Sequence, residues 1–307
     1  MCKSKASLVG KTAVVTGGSS GFGFDTARLL AERGARVIIA SRSEAKLANA
    51  TESIRRSTGN ENVDYRQLDM SSLTSVRHFA SETLLSEHRL DILINNVGAI
   101  NLPDKLTEDG LNTMMQVNYF GAFLLTYLLM PFLRASGPSR VINVSAATMY
   151  VGTIDFDHLN DVEYWSPLSI LANSKLATSL FTVELSERIK DSGVTANSFD
   201  PFVVADTGIL DNLGVIKDIG KVIVNSIGRR REDVANEIVF MASDPSLERV
   251  TGKHFKFCRS WFNSWLAEDV QLRRRLWTTS KELVKVKPSE EWDESGKSNQ
   301  IKYSLFL

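Results

Sequence analysis

The chain has 307 residues, a formal net charge of zero and an apolar fraction of 43%. These values are typical of a soluble globular protein with one large domain or two small ones. A net charge of zero argues against nucleic acid or another polyanion as the main partner. The two cysteines, Cys2 and Cys258, lie far apart in sequence, so they predict neither a disulfide framework nor a zinc site and favour a reducing, cytoplasmic location.

The sequence offers no pattern for a metal or a membrane. The four histidines are scattered along the chain, so no metal site is predicted. No apolar segment precedes the first predicted strand. The expectation is therefore that the chain has no signal peptide, no N-terminal membrane anchor and no transmembrane segment.

Strands and helices are predicted to alternate along the chain. Apolar or alternating runs predict strands at Thr12–Thr16, Arg36–Ala40, Val63–Gln67, Leu90–Asn95, Arg140–Val144, Val194–Phe199 and Lys253–Phe257. Helical patterns lie between them, at about 24–32, 43–57, 72–85, 111–133, 169–190 and 231–243. This alternation predicts an α/β fold: a single-domain, Rossmann-type, doubly wound parallel sheet of about seven strands with helices on both faces. Ligands of such a sheet bind at the carboxyl ends of its strands.

One domain is predicted over 1–258, followed by a helical extension at 259–286 and a polar tail at 287–307. The extension has an apolar helical face that begins at Trp265 and ends at Leu283. Residues 205–230 are predicted to form a lid over the substrate. Their apolar stretch at 213–224 fits a cover for a lipophilic ligand and, equally, a helix packed on the core.

The glycine cluster after the first strand predicts a site for an anion. Gly17, Gly21 and Gly23 are spaced as in a dinucleotide-binding turn, and the helix that follows presents unpaired N–H groups and a positive dipole end to a pyrophosphate. The same residues also match the nucleophile elbow of hydrolases, with Ser19 as nucleophile. That alternative lacks the earlier strand that would supply an oxyanion hole. A third interpretation is a glycine turn that binds nothing.

The end of the second predicted strand indicates which dinucleotide is bound. NAD sites place an acid there to bind the ribose 2′-hydroxyl. This chain has Ala40, Ser41 and Arg42 instead, and a guanidinium suits a 2′-phosphate by charge and geometry. The sequence therefore favours NADP(H). The alternative for Arg42 is an ordinary solvated surface residue.

Motifs over nearly all of 10–258 resemble those of the short-chain dehydrogenases/reductases. The glycine motif stands as Thr16-Gly-Gly-Ser-Ser-Gly-Phe-Gly23, the acid after the third strand as Asp69, the N-N-A-G motif as Asn95-Asn-Val-Gly98, the helical asparagine as Asn118 and the catalytic serine as Ser145. The retinol-dehydrogenase-like branch is most similar, through Phe123-Leu-Leu-Thr126, Ser174-Lys-Leu-Ala177, Val194-Thr-Ala-Asn197 and Val250-Thr-Gly-Lys253. The resemblance implies hydride transfer between a nicotinamide and an alcohol or carbonyl.

The resemblance also implies the residues of the site. Ser145, Lys175 and Asn118 are expected in catalysis: the serine polarises the carbonyl, the lysine binds the nicotinamide ribose, and the asparagine holds a water. The resemblance, combined with the interpretation of the glycine turn and of Arg42, predicts the residues that contact the cofactor. They are Gly17, Ser19, Ser20, Gly21, Phe22, Gly23, Ser41, Arg42, Asp69, Met70, Asn95, Val97, Gly98, Lys175, Pro201, Val203 and Thr207.

The sequence departs from the family pattern at the proton donor. The family's Y-x-x-x-K ends here at Lys175, and its tyrosine position holds Leu171, which can neither donate nor accept a proton. Tyr150 and Tyr164 are the candidate substitutes nearby in sequence. A second departure is Asp200-Pro201-Phe202, where the family often has glycine after the proline; the phenylalanine is expected to add bulk near the nicotinamide.

Three functions are compatible with this sequence. The first is an NADP(H)-dependent oxidoreductase acting on a lipophilic, retinoid- or steroid-like alcohol, aldehyde or ketone with altered proton transfer. The second is a catalytically inactive NADP(H)-binding protein that serves as a sensor, carrier or scaffold, and the third is a non-redox reaction in the same pocket. The resemblance further implies that the helices near 111–133 and 168–190 pair two subunits into a homodimer.

Overall fold

The computed structural model describes Cys2, residues 4–204 and residues 228–292. Its centre is an eight-stranded sheet with the order β3-β2-β1-β4-β5-β6-β7-β8. The first seven strands pair in parallel, and β8 pairs antiparallel with β7. The strands are β1 Thr12–Thr16, β2 Arg36–Ser41, β3 Val63–Gln67, β4 Ile92–Asn95, β5 Ser139–Val144, β6 Val194–Phe199, β7 His254–Lys256 and β8 Arg259–Trp261. The doubly wound parallel sheet is confirmed, and β8 is a strand that the sequence did not predict.

Helices cover both faces of this sheet. They are α1 Gly21–Glu32, α2 Glu44–Thr58, α3 Leu73–Ser86, α4 Thr113–Ser136, α5 Pro167–Arg188, α6 Arg231–Ser243 and α7 Val270–Leu283. Apolar side chains of α3, α4, α5 and α7 form one core with one face of the sheet. Those of α1, α2 and α6 form a second core on the other face.

Local capping chemistry sets several helix starts. Ser43 accepts a hydrogen bond from the Lys46 amide at the start of α2, and Ser72 accepts one from the Ser75 amide at the start of α3. Such caps satisfy backbone N–H groups that the first helical turn leaves unpaired. Ser166 caps α5 in the same way, and Pro167 occupies its first helical position. These starts lie within about two residues of the predicted ones.

The expectation that the chain has no transmembrane segment is contradicted, because one helix is long and apolar enough to span a membrane. Helix α4 is 24 residues long, and an 18-residue window within it has a mean hydropathy of 1.3, enough to cross a membrane by length and composition. In this fold 83% of that window is buried inside the protein. Because a buried core helix passes the same test, the helix is weak evidence of a membrane span.

The chain after residue 258 builds onto the core of the preceding domain. The predicted boundary at 258 falls in the turn between β7 and β8, which are paired. The extension folds as a short 3-10 helix, Trp265–Glu268, followed by α7. Trp277 of α7 packs on Phe123 of α4 and Phe181 of α5, at ring distances of 5.2 and 5.8 Å. Helix α7 therefore packs against α4 and α5, the two helices through which the resemblance implied that two subunits pair.

The interpretation of the two cysteines is corrected by the structure. Cys2 and Cys258 form a disulfide, with their Cα atoms 5.7 Å apart. Their separation of 256 residues in sequence concealed this pairing, because the N-terminal segment returns to the turn that follows β7. The cysteine pattern therefore gives no support for a reducing compartment.

Cys258→Ser is expected to lower the free energy of unfolding. A cross-link removes conformational entropy from the unfolded chain, and the longest loops give at most about 5 kcal/mol. The loss should appear in urea unfolding at pH 7 without reductant. A reductant should destabilise the wild-type protein by the same amount and leave the variant unchanged. Two free thiols in the unreduced, denatured wild-type protein would contradict the pairing.

Candidate active site

The glycine turn lies between β1 and α1, at the carboxyl edge of the sheet. Gly17 has φ +69°, in the left-handed region that favours glycine. At Gly23 a Cβ would lie 2.5 Å from the Gly17 carbonyl oxygen, so no larger residue fits. Asn96 locks the turn, because its side-chain amide donates to the Thr16 carbonyl at 2.9 Å and contacts both glycines. Asn96 belongs to the motif after β4 but was not among the predicted site residues.

The start of α1 suits an anionic group. Ser20 precedes the helix in an extended conformation and makes no side-chain cap hydrogen bond, so its hydroxyl does not compete for the first helical N–H groups. A Cβ built on Gly21 would meet no atom within 4 Å, so the space beside the turn is open. The predicted contacts Ser19 and Phe22 flank the same opening, and both are partly buried. The turn thus fits a pyrophosphate.

The end of β2 and the segment after β3 form the neighbouring part of the edge. The Ser41 hydroxyl is buried and has no hydrogen-bond partner among the described residues. Arg42 is exposed; its carbonyl accepts from the Gln67 amide at 2.9 Å, which holds its backbone in place. Asp69 accepts from the Ser71 amide and hydroxyl, and Met70 is buried against Gly121. An unsatisfied buried hydroxyl at this edge fits the adenosine ribose of a dinucleotide.

The motif after β4 divides between internal and edge positions. Asn95 is buried, and its amide donates to Thr126 and Asn143, both at 2.8 Å, so this predicted cofactor residue fastens β4 to α4 and β5. Val97 is bound through its backbone to Thr16, and Gly98 lies against Lys175, whose Nζ would be 3.1 Å from a Cβ there. Gly98 therefore leaves room for the ammonium group.

Lys175 and Ser145 meet where β5 faces α5. The Lys175 ammonium is buried and donates to the Val144 carbonyl at 3.0 Å. Burial lowers the pKa of Lys175 to about 8, and the charge of Asp200 partly opposes this shift. The Ser145 hydroxyl donates to the Lys175 carbonyl at 2.9 Å. Two of the predicted catalytic groups thus lie together at the carboxyl edge.

Asn118, the third predicted catalytic residue, sits in a π-helical turn, Gln116–Phe120, within α4. Its side chain pairs with the backbone of Ala99, accepting from the amide at 2.7 Å and donating to the carbonyl at 2.9 Å. It also contacts the Ser174 hydroxyl, at 3.3 Å, beside Lys175. Such turns are frequent at functional sites. Here the turn fixes the segment that contains Gly98.

The position predicted to match the family's tyrosine holds an apolar side chain. Leu171 lies on α5 one turn before Lys175 and is 9% exposed. Neither candidate substitute bonds to Ser145 or Lys175. The Tyr150 hydroxyl donates to the Phe262 carbonyl at 2.5 Å, and the exposed Tyr164 ring stacks on His158 at 3.8 Å. In this conformation no tyrosine among the described residues supplies the family's proton donor.

The ring of Phe202 is partly exposed and packs on residues near β7. Phe202 has φ +60°, a strained conformation for this residue, and its amide donates to Asp200 at 2.7 Å. The ring is 41% exposed and packs on Phe257 at 5.6 Å, with the Lys256 ammonium 4.8 Å from its centre. Lys256 also lies 2.8 Å from buried Asp200, an ion pair that sequence analysis missed.

The remaining predictions near this ion pair have different outcomes. Pro201 is buried and Val203 partly buried at the end of the segment that follows β6, and the Val203 carbonyl accepts from the Arg229 amide at 2.8 Å. Thr207 and most of the predicted lid at 205–230 lie outside the described residues. The predicted contacts of Thr207 therefore stay predictions.

The hydrolase alternative has no histidine at the glycine turn. His158 lies on the surface, where Asp161 binds it at 2.8 Å and raises its pKa. His254 is buried against the Ser198 hydroxyl at 2.9 Å, and burial lowers its pKa to about 4, so the ring is neutral. Neither histidine bonds to Ser19 or Ser20, so neither of them activates those hydroxyls.

A doubly wound sheet with this glycine turn at its carboxyl edge is typical of a dinucleotide-binding protein. The family model described as short chain dehydrogenase matches residues 11–215. Retinol dehydrogenase 13 of Homo sapiens is 40% identical, with 92% of this chain and 87% of that protein covered. Dehydrogenase/reductase SDR family member 13 of Bos taurus is 38% identical, with 94% and 77% covered.

Solved structures agree with this assignment. An uncharacterised protein from Mycobacterium paratuberculosis superposes with a TM-score of 0.70 and 32% identity, over 91% of this chain and 95% of that one. L-sorbose reductase from Gluconobacter frateurii, solved with NADPH and L-sorbose, has the same fold at 21% identity and a TM-score of 0.67, over 82% and 96%. The chain belongs to the short-chain dehydrogenase family, which places it among oxidoreductases that use a nicotinamide dinucleotide.

Proposed function

We propose that this protein is an NADP(H)-dependent oxidoreductase of lipophilic alcohols, aldehydes or ketones, retinoid- or steroid-like, with weakened or altered proton transfer. The observation that carries the proposal is the joint placement of Ser145, Lys175 and Asn118 beside an intact glycine turn. Relatives named retinol dehydrogenases support the substrate class. A nicotinamide bound here supplies or accepts a hydride.

The site residues take separate roles in this reaction. The N-terminus of α1 and the glycine turn bind the pyrophosphate, and Ser41 and Arg42 bind the adenosine end. Ser145 can turn its hydroxyl from the Lys175 carbonyl to a substrate oxygen. The Lys175 ammonium has a pKa of about 8, so it exchanges its proton near neutral pH. It can therefore return a proton to a water or hydroxyl beside it.

Steady-state assays with NADPH against a panel of lipophilic carbonyl compounds test the proposed activity. We expect turnover that is slow for the family and well above that of a Lys175→Ala variant. Turnover equal to that of the variant would contradict the proposal. NADPH binding is titrated alongside these assays, because binding and turnover are separate properties.

A second function, an NADP(H)-binding protein without turnover, is favoured by one observation: Leu171 fills the proton-donor position, and the hydroxyls of Tyr150 and Tyr164 lie elsewhere. This function predicts NADPH binding in isothermal titration calorimetry and no reaction with any compound of the panel. Absence of NADPH binding would exclude both functions.

Arg42→Ala is expected to weaken NADPH binding about 10- to 100-fold and to leave NADH binding unchanged. A hydrogen-bonded charge contact of the guanidinium with a 2′-phosphate contributes this much, and NADH has no such phosphate. Calorimetric titration of both cofactors measures the effect. Arg56→Ala is the matched control, because Arg56 is also exposed and lies on α2 away from the turn. An equal loss for both cofactors would overturn the assignment to NADP(H).

A further inference from the structure

Helix α7 contacts the π-helical turn that carries Asn118. Tyr119, the next residue in that turn, is 1% exposed, and its hydroxyl lies 2.8 Å from the hydroxyl of Ser280 on α7, which is 0% exposed. Burial raises the pKa of Tyr119, so this phenol stays protonated at neutral pH. Because both hydroxyls are buried, removing either one would leave the other without a hydrogen-bond partner. The bond therefore constrains both helices.

Aromatic packing and charge hold α7 in place at this contact. The Tyr119 ring lies 6.1 Å from Phe123 and 6.3 Å from Phe181, the two rings on which Trp277 of α7 packs. On α5, the Arg188 guanidinium lies 4.5 Å from the centre of the Trp277 ring. Helix α7 is therefore a rigid part of the layer behind the turn.

The π-helical turn also positions the residues around Lys175. Asn118 is joined to the backbone of Ala99 by two hydrogen bonds, and the residue before Ala99 is Gly98, which lies against the Lys175 ammonium. A shift of the turn would move Asn118, then Ala99 and Gly98, and so change the space beside Lys175. Ser280 lies well beyond residue 215, where the family match ends, so that match assigns it no role.

We propose that Ser280 of α7 is a positioning residue for the active site, acting through the Tyr119 hydroxyl on the π-helical turn that holds Asn118. The importance of Asn118 and Lys175 in this proposal rests on the proposed function; the mechanical link from α7 to the turn does not. The C-terminal segment thus supports an active site whose own residues all belong to the preceding domain.

Hydrogen exchange of the amides at 116–120 in the cofactor-free protein tests the link. The variants are Tyr119→Phe, Ser280→Ala and the double variant, which removes both hydroxyls and so avoids leaving one of them unpaired. The matched control is Tyr127→Phe. Tyr127 is another buried tyrosine of α4 whose hydroxyl bonds to the C-terminal segment, at Glu291 and 2.7 Å, two turns away from Asn118.

We expect exchange at 116–120 to be about 10-fold faster in the two single variants, the factor that corresponds to one hydrogen bond, faster than in the wild-type protein by a smaller factor in the double variant, and unchanged in the control. NADPH affinity should fall by about 3- to 10-fold in the same three variants only. Wild-type exchange in the double variant, or equal acceleration in Tyr127→Phe, would overturn the proposal. If the wild-type protein binds no NADPH, the proposed function fails, and the exchange rates still decide whether α7 holds the turn.

Discussion

Leu171→Tyr is expected to raise turnover about 10²- to 10⁴-fold, the usual contribution of a positioned general acid. Leu171 lies on α5 one turn before Lys175, so a tyrosine there would present its hydroxyl on the same face of the helix. The Lys175 ammonium nearby would lower the pKa of that phenol. Steady-state rates of the variant with NADPH and a lipophilic aldehyde measure the gain.

Leu171→Phe is the control for this experiment, because it adds the ring without the hydroxyl. We expect it to show the rate of the wild-type protein or less. A similar gain in both variants would mean that bulk at this position, and not proton donation, limits the reaction. No gain in Leu171→Tyr, with NADPH binding intact, would mean that the site is adapted to a purpose other than hydride transfer.

Lys175→Met is expected to stabilise the fold by about 3 kcal/mol at pH 7 while it removes catalysis. The lysine is fully buried, and its pKa falls from 10.5 in the unfolded chain to about 8 in the folded one, so the folded state opposes the charge. Below pH 8 both states carry the proton, and the full penalty applies. Between pH 8 and 10.5 the unfolded chain binds more protons, so the stability of the wild-type protein rises with pH.

The advantage of Lys175→Met should therefore shrink through that interval and vanish above it. Urea unfolding at pH 7, 9 and 11 measures it. Lys46→Met is the matched control, since Lys46 is exposed on α2 and should show no such dependence. A Lys175→Met variant less stable than the wild-type protein at pH 7 would contradict a net penalty for burying the ammonium at this position. Under the proposed function, this penalty is the cost in stability of keeping a group that exchanges protons in the active site.

Local patterns in the sequence determined much of this protein. The alternation of apolar runs with helical ones defined the parallel sheet, since a strand buried on both faces needs consecutive apolar residues. Gly17 and Gly23 defined the turn, because their backbone angles and close contacts exclude side chains. The resemblance to the family's Y-x-x-x-K motif, aligned through Ser174-Lys-Leu-Ala177, predicted Leu171 at the tyrosine position. These features depend on neighbours in the chain, which a sequence displays directly.

Only the tertiary structure decided the features that join distant segments. The Cys2–Cys258 disulfide, the Asp200–Lys256 ion pair and the Tyr119–Ser280 hydrogen bond connect parts of the chain whose spacing carries no signal. The position of the Phe202 ring likewise depends on its contacts with Phe257 and Lys256. Sequence patterns report periodicity and local chemistry, whereas such contacts depend on how whole elements pack, and packing is fixed by the complementary shapes of the entire core.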